Sequence, residues 1–252
     1  MGGTDLTAYR PPAPEEKEEY VRSLFDQIAE RYDQMNLVMS AGMWKSWHKA
    51  FARYTALQPG MRVLDVACGT GDLSMLAAAQ VSPGGSVIGV DFSEGMLAVG
   101  RRRVAASPFA GMIDLRWGNA LALDFPDNSF DGLTMGWAMR NVKDIDRCLA
   151  EALRVLKPGG RFVNLDAAQP PSALVRLGFA AWWRLGIPLI DWLVIKAGRS
   201  APVRPYKYLS RSLDQHPPVD NLAERFRRAG FAGAGYVTLN LGTVSIHWGN
   251  KP

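Results

Sequence analysis

The chain has 252 residues, of which 48% are hydrophobic and 21% charged, with a formal net charge of +5. This length and composition exclude a disordered or low-complexity chain and predict a globular domain with a sizeable core. The positive charge is compatible with binding to acidic lipid or to nucleic acid, or with a role in solubility alone. The two cysteines are far apart and the three histidines are scattered without ligand spacing, so neither a disulfide framework nor a metal site is expected.

The first part of the chain divides into a tail and a helical region. Residues 1–14 are polar and rich in Pro and Gly, which predicts a flexible tail. Apolar residues then recur at three- and four-residue steps, which predicts a helical cap over residues 15–54. No basic region followed by an apolar core is visible at the start, so no signal peptide is evident and a cytoplasmic location is expected.

From residue 62 onward, short apolar strands alternate with helices. The predicted strands are 62–68, 86–91, 114–120, 130–138 and 160–168, and the predicted helices are 72–81, 93–105, 144–156 and 221–231. Two last strands, 233–241 and 242–249, follow one another closely and predict an antiparallel hairpin. The pattern predicts an α/β fold: a doubly wound, mostly parallel seven-stranded sheet with an antiparallel C-terminal strand and an N-terminal helical cap.

A tryptophan-rich segment interrupts this alternation after the fifth strand. Trp182, Trp183 and Trp192 lie there among apolar residues, with a proline and several charges. A membrane span needs about 20 residues with few or no charges, so a transmembrane helix is not expected. We interpret residues 170–215 as a helical insertion in one domain of residues 15–252. Core packing and an element at a lipid interface both stay open.

Three strand ends carry residues typical of a nucleoside site. The first strand contains Asp65 and runs into the turn Gly69-Thr70-Gly71, where backbone N–H groups can approach a ligand closely. The second strand ends at Asp91, whose carboxylate can accept both ribose hydroxyls. The third exits at Asn119, whose side-chain amide could meet an adenine edge. The glycine spacing differs from the dinucleotide fingerprint.

In this order, the strand ends resemble those of the class I S-adenosylmethionine-dependent methyltransferases, which have a Rossmann-like fold. The resemblance implies S-adenosyl-L-methionine as cofactor, with Asp65 near its methionine amino group and Asp91 on its ribose. Asn119 stands where that family commonly has an acid, and its carbonyl would accept from the adenine amino group. The residues that the resemblance places at the cofactor are Tyr32, Asp65, Gly69, Thr70, Gly71, Asp91, Phe92, Asn119, Ala120 and Gly136.

The end of the fourth strand, 134-TMGWAMRNVKD-144, narrows the acceptor chemistry. It lacks the Asn/Asp-Pro-Pro-aromatic turn used to methylate exocyclic amines of bases, and residues 134–143 offer no carboxylate ligand for metal-dependent catechol methylation. The Pro-Cys dipeptide of cytosine C5 methylation is absent from the chain. Nucleic acid is therefore not an expected partner, although the basic charge keeps a nucleic-acid- or protein-directed binding module as the rival class.

Five stretches of the chain are similar to the ubiquinone/menaquinone biosynthesis C-methyltransferases. They are Arg140-Asn141-Val142, 30-ERYDQMN-36, 124-DFPDNSFD-131, 154-RVLKPGGR-161 and 206-YKYLSRSL-213. The resemblance runs from about Tyr20 to Trp248. It implies C-methylation of a polyprenylated hydroquinone ring, with demethylmenaquinol as the first choice of acceptor. The alternatives are 2-polyprenyl-6-methoxybenzoquinol and a related isoprenoid lipid.

That chemistry suggests roles for the remaining candidates. Arg140 and Asn141 are the predicted catalytic residues: Arg140 could hold the phenolate and Asn141 could orient the ring. A structural ion pair and a turn cap are their respective alternatives. The insertion becomes a substrate lid, in which Trp182, Trp183 and Trp192 line the ring-and-tail channel and touch the inner face of the membrane peripherally. A homodimer is also compatible with the sequence.

Other basic residues keep two interpretations each. The arginines at 101–103 and those between 225 and 228 are expected on solvated helix faces, with contact to acidic lipid as the alternative. His247 is expected as a satisfied strand histidine, with a base that reaches the cleft as the alternative.

Overall fold

The computed structural model describes residues 16–182 and 216–252. The predicted tail, Trp183, Trp192 and most of the predicted lid lie outside these ranges. The described helices are α1 Lys17–Ile28, α2 Tyr32–Met39, α3 Trp44–Ala52, α4 Asp72–Val81, α5 Glu94–Ala105, α6 Ile145–Val155, α7 Ala173–Ala181 and α8 Val219–Arg228. The strands are β1 Arg62–Val66, β2 Ser86–Asp91, β3 Ile113–Trp117, β4 Phe130–Gly136, β5 Leu156–Ala167, β6 Ala232–Leu239 and β7 Val244–Asn250.

The seven strands form a single sheet in the order β3-β2-β1-β4-β5-β7-β6. Neighbours from β3 to β5 pair in parallel, whereas β7 is antiparallel to both β5 and β6. The predicted fold is therefore confirmed. The chain order reverses between β1 and β4, and ligands of open α/β sheets bind outside the carboxyl ends of the strands at such a point.

Both faces of the sheet are covered, which explains why its strands are near-continuous apolar runs. On one face, Val63 and Val87 pack with side chains of α4 and α5. On the other, Leu64, Leu133 and Phe162 pack with side chains of α6 and α8. All five of these side chains are almost fully buried, so the sheet is a rigid platform for whatever its strand ends carry.

The predicted helical cap separates into two parts. Helices α1 and α2 share a small core of Val21, Leu24, Ile28 and Met35 and contact the start of α5. Helix α3 instead packs with α4 and the sheet, where Trp47 is buried beside side chains of β5 and β7. Helices α1 and α2 therefore cover the carboxyl ends of the strands, and α3 contacts Trp137 just after β4.

The helix and strand boundaries follow the predicted ones closely, with one clear exception. Ser93 is the N-cap of α5, since its hydroxyl accepts a hydrogen bond from Met96 N at 3.1 Å. Strand β5, however, begins at Leu156 rather than at residue 160. Phe130 pairs with Leu156, and the register then shifts before the next paired residues. The prediction was wrong there because the Lys-Pro-Gly-Gly sequence forms an irregularity within the strand rather than a turn before it.

Within residues 16–182 and 216–252, the structure contains no helix with the length and apolar character required to cross a membrane.

Candidate active site

A cleft lies at the carboxyl ends of β1, β2 and β4. Its volume is about 770 Å³, including the open solvent at its mouth. Helix α1 and the start of α2 form its outer wall. The predicted residues that line it are Tyr32, Gly69, Asp91, Phe92, Asn119, Ala120, Gly136 and Asn141. Asp65, Thr70, Gly71 and Arg140 are not among its lining residues. The structure thus brings most of the predicted cofactor residues to one place.

Asp91 presents a carboxylate to the cleft from the end of β2. Its two oxygens accept hydrogen bonds from Gly69 N at 2.8 Å and Ser93 N at 2.9 Å. Burial raises the pKa of Asp91 to about 6, although these backbone donors act in the opposite direction. Because each carboxylate oxygen has more than one lone pair, both can still accept hydrogen bonds from a ligand hydroxyl.

Asp65 is more deeply buried, and its carboxylate accepts hydrogen bonds from two side-chain hydroxyls. Ser74 Oγ donates to it at 2.6 Å and Thr134 Oγ1 at 2.8 Å. Burial raises its pKa to about 7 in spite of these bonds. Asp65 therefore supports the start of α4 and the β1–β4 pair from behind the cleft, and direct contact with a ligand would require its hydroxyl partners to move.

The glycine turn forms the floor of the cleft and is braced from outside. Gly69 and Gly71 have φ of +54° and +85°, in the left-handed region that favours glycine. Arg103 donates to the carbonyl and the hydroxyl of Thr70 at 2.9 and 2.8 Å. The Thr70 hydroxyl in turn donates to Asp33 of α2 at 2.8 Å. The turn is thus held by contacts to both α5 and the cap.

This bracing corrects the prediction of a solvated face for Arg103. Its guanidinium pairs with Asp33 at 3.0 Å and also with Asp72 at the start of α4. Its neighbour Arg102, by contrast, pairs with Glu30 on an exposed surface. This difference could not be predicted from the sequence, because the two arginines are adjacent and chemically identical.

Asn119 differs from expectation in the direction of its hydrogen bonds. Its side-chain carbonyl accepts from Leu121 N at 2.9 Å, and its amide donates to Glu18 Oε1 at 2.8 Å. Glu18 belongs to α1 and lines the cleft beside Asn119. Sequence reasoning missed Glu18, since the contact joins residues 101 positions apart.

The predicted acceptor side of the cleft lies beyond Gly136, at the end of β4. Asn141 is 9% exposed and lines the cleft in the short helical turn Met139–Asn141, which its own N–H helps to close by donating to Ala138 O at 2.8 Å. Tyr32 enters from α2, and burial raises the pKa of its hydroxyl to about 12. Both are neutral hydrogen-bonding groups at neutral pH.

Arg140 points away from this cleft into an adjacent cavity. It forms a buried ion pair with Asp166, which also accepts from Arg140 N at 3.1 Å. The two side chains are only 10% and 0% exposed. The structural ion pair anticipated for Arg140 is therefore present. The cavity that it lines also contains Lys17, Lys143 and His216, and it shares Val142 and Lys143 with the cleft.

His247 is a buried strand histidine as expected, but it is only partly satisfied, because its Nδ1 has no hydrogen-bond partner among the described residues. It is fully buried on β7, and its Nε2 lies 2.9 Å from Val219 O. The rings of Phe226 and Tyr236 stack on it, and burial lowers its pKa to about 4. It does not line the cleft. The surface arginines of α8 behave as predicted: Arg225 pairs with Asp146 and Arg227 with Glu224.

Trp182 is the one lid tryptophan within the described ranges. It follows α7, and its Nε1 donates to Met39 O at 3.3 Å. The start of the predicted lid therefore contacts the end of α2 in the cap.

The chemistry of the cleft fits an adenosyl group. Phe25, Phe92 and Met96 provide apolar walls for a purine, and the Asp91 carboxylate provides an acceptor for ribose hydroxyls. At Gly69, an added Cβ would lie 3.1 Å from Met96 Cε, so the bare backbone allows a ligand to approach the floor closely.

Comparisons with known proteins agree with this description. Residues 14–251 match the ubiE/COQ5 methyltransferase family. A relative from Symbiobacterium thermophilum, named demethylmenaquinone methyltransferase, is 63% identical over 96% of this chain and 97% of its own. A relative of the same name from Desulfitobacterium hafniense is 40% identical over 94% of this chain and 92% of its own.

Solved structures extend the likeness of fold to more distant proteins. An S-adenosylmethionine-dependent methyltransferase from Thermotoga maritima superposes with a TM-score of 0.62 at 20% identity, over 91% of this chain and 99% of its own. Phosphoethanolamine N-methyltransferase 2 of Haemonchus contortus, solved with S-adenosyl-L-methionine, gives 0.60 at 18% identity, over 84% and 53%. This chain belongs to the ubiE/COQ5 methyltransferase family and is a methyltransferase that uses S-adenosylmethionine.

Proposed function

We propose that the protein methylates the ring carbon of demethylmenaquinol in menaquinone biosynthesis. The observation that carries this proposal is the high identity, over nearly the whole chain, to a relative that bears the name of that activity. The cleft supports it, because an adenosyl-type site opens directly onto the turn that holds Asn141.

The residues have separable tasks in this reaction. S-adenosylmethionine supplies an electrophilic methyl group, and the ring carbon beside a phenolic oxygen becomes the nucleophile once that oxygen has lost its proton. Lys17, Arg140 and Lys143 line the cavity next to the cleft. The charge of the two lysines favours the phenolate over the neutral phenol, and the Arg140 guanidinium, already paired with Asp166, offers its remaining N–H donors to the phenolate oxygen. Asp166 fixes the Arg140 guanidinium, and Asn141 orients the ring at the boundary between the two spaces.

Transfer of a labelled methyl group tests the proposed activity. Labelled S-adenosylmethionine is incubated with the purified protein and, in parallel, with reduced demethylmenaquinone, reduced 2-polyprenyl-6-methoxybenzoquinone and RNA. We expect label in the naphthoquinol. Transfer to the benzoquinol alone would assign the chain to ubiquinone biosynthesis, and transfer to RNA alone would overturn the quinone assignment.

A matched pair of variants tests the proposed role of Arg140. We expect Arg140→Ala to lower kcat by about 100-fold, the scale of a lost electrostatic contact in a transition state, while binding of S-adenosylhomocysteine stays unchanged. Arg227→Ala, on the exposed face of α8, is the control. An Arg140→Ala variant with wild-type kcat would contradict the role.

We also propose a peripheral contact between the protein and the membrane that carries the quinol, on its cytoplasmic side. Leu174 and Leu177 lie one turn apart on α7 and are 78% and 69% exposed, and Leu241 is 79% exposed. Gly242 lies against Pro171, which places Leu241 beside the start of α7. We call Leu174, Leu177 and Leu241 the apolar edge. An acceptor drawn from a bilayer would enter at such an edge, of which Leu174 and Leu177 belong to the predicted lid.

A further inference from the structure

The adenine end of the cofactor cleft carries a carboxylate that comes from the cap rather than from the sheet. Glu18 lies in the first turn of α1, is half-buried and lines the cleft next to Gly118, Asn119, Ala120 and Leu121. These four residues follow β3, on the opposite wall. A side chain from a separate element thus completes the polar lining at this point.

The hydrogen bonds of Asn119 favour Glu18 as the acceptor, because they occupy one lone pair of the Asn119 carbonyl and direct its amide at the Glu18 carboxylate. The Asn119 carbonyl already accepts from Leu121 N, and its amide donates to Glu18 Oε1. Within the described ranges, no hydrogen bond to Glu18 Oε2 is found. A carboxylate is also a stronger acceptor than an amide carbonyl, by roughly a factor of two in energy.

We propose that the Glu18 carboxylate accepts a hydrogen bond from the 6-amino group of the adenine and that Asn119 is the positioning residue that holds it. The purine is then recognised jointly by the sheet and the cap. Recognition of the amino group therefore requires α1 to be closed over the cleft. It also requires Asn119 to donate rather than accept, which an aspartate at that position could not do when ionised.

Two ligands that differ only at the purine 6 position test this role without any methyl transfer. S-adenosylhomocysteine carries the 6-amino group, and its purine riboside analogue carries a hydrogen there. We expect the wild-type protein to bind S-adenosylhomocysteine about 10-fold more tightly than the analogue in isothermal titration calorimetry, which is about 1.4 kcal/mol.

Variants of Glu18 and Asn119 separate recognition from folding. Glu18→Ala should weaken S-adenosylhomocysteine about 10-fold and leave the analogue unchanged, so that discrimination disappears. Glu18→Gln, which keeps a carbonyl acceptor, should retain part of the discrimination between the two ligands. Asn119→Ala should lose part of that discrimination. Glu19→Ala is the matched control, because Glu19 lies on the exposed side of the same helix and pairs with Arg22.

Two results would overturn the proposal. If Glu18→Ala weakened both ligands equally, the residue would hold α1 in place and would not read the base. If it weakened neither, the contact with Asn119 would have no part in binding. Both readings are independent of the quinol proposal, since no acceptor is present in the titration.

Discussion

Asp65 and Asp91 are buried carboxylates that belong to adjacent strands and have different partners. Asp91 faces the cleft and accepts from two backbone N–H groups, whereas Asp65 is enclosed and accepts from two hydroxyls. Burial raises the pKa of both, to about 6 for Asp91 and to about 7 for Asp65. At neutral pH, the ionised form of Asp65 is therefore costly to the folded protein, and its charge is available only near or above pH 7.

We predict that Asp65 makes stability decline with pH. A raised pKa means that the folded state binds the proton more tightly than the unfolded state. The stabilisation is thus full below the ordinary carboxyl pKa near 4 and is lost as pH rises through about 7. Urea unfolding from pH 4 to 8 should show a loss in wild type that exceeds the loss in Asp65→Asn by at least about 1 kcal/mol.

The control for this measurement is Asp114→Asn on β3, where the carboxylate is 57% exposed and paired with Arg116. That variant should keep the wild-type pH profile. Superimposable profiles for wild type and Asp65→Asn would show that Asp65 ionises normally in the fold. Asp91 is intact in every variant and its charge is one of the smaller causes of the raised pKa of Asp65, so most of its own contribution near pH 6 cancels in the comparison.

The Arg140–Asp166 pair should be costly to break because both partners are buried. We predict that Asp166→Ala lowers the free energy of unfolding by about 3–5 kcal/mol, since it leaves an uncompensated guanidinium. The double variant Arg140→Met/Asp166→Ala should regain part of that loss. Glu224→Ala removes the exposed partner of Arg227 and should cost about 1 kcal/mol or less. An Asp166→Ala variant as stable as Glu224→Ala would contradict the prediction.

At the scale of elements, local sequence patterns were sufficient to predict the strands of the sheet but not where each helix packs against it. Strands β1 and β2 and helix α4 follow from apolar runs and turn residues that are contiguous in the chain. Helix α3 has the same kind of amphipathic pattern as α1, so the sequence could not show that it packs beside the sheet rather than over the cleft. The predicted start of β5 was wrong because Pro-Gly-Gly usually forms a turn, whereas here the residues before it pair with β4.

The candidate site divides in the same way. Asp91 and the Gly69–Gly71 turn were predictable because each lies at a strand end, where parallel topology brings residues together. Glu18 and Arg103 were not, because their roles depend on partners distant in the chain. The direction of the Asn119 amide was not predictable either, since a single side chain can donate or accept at the same position.

Helix α5 braces the glycine turn through Arg103, and this gives a prediction with a neighbouring control. Arg103→Ala removes two hydrogen bonds to Thr70 and the ion pairs to Asp33 and Asp72, so the floor of the cleft should become less ordered. We expect the Kd for S-adenosylhomocysteine to rise about 5- to 10-fold, equivalent to about 1–1.4 kcal/mol. Arg102→Ala, which removes only an exposed pair with Glu30, should change it less than about twofold. Equal Kd values for the two variants would contradict the bracing role.

At the scale of the whole molecule, the exposed apolar side chains are unevenly placed. The apolar edge consists of two leucines of α7 and one just before β7. Trp182, which contacts the cap, directly follows α7. Met43 contacts Asn240 and adds a further partly exposed apolar residue nearby. Trp117 is equally prominent, at 60% exposed, but it belongs to β3 at the opposite end of the strand order. The molecule therefore has its cofactor site in the centre of the sheet and its apolar edge to one side.

We predict that the apolar edge binds an acidic bilayer. The wild-type protein should co-float with vesicles of phosphatidylglycerol and phosphatidylcholine, because its net charge is +5 and three exposed leucines can be buried in the interface. Replacing Leu174, Leu177 and Leu241 with Ser should reduce the bound fraction at least about 10-fold, since partial burial of three such side chains is worth about 2 kcal/mol or more. Trp117→Ser removes a comparable exposed side chain from the other end of the sheet and should leave flotation unchanged. Sedimentation of each variant distinguishes the alternative occupant: if the triple variant shifted a dimer to monomer and left flotation intact, the apolar edge would be an interface between two copies of the chain and not a lipid contact.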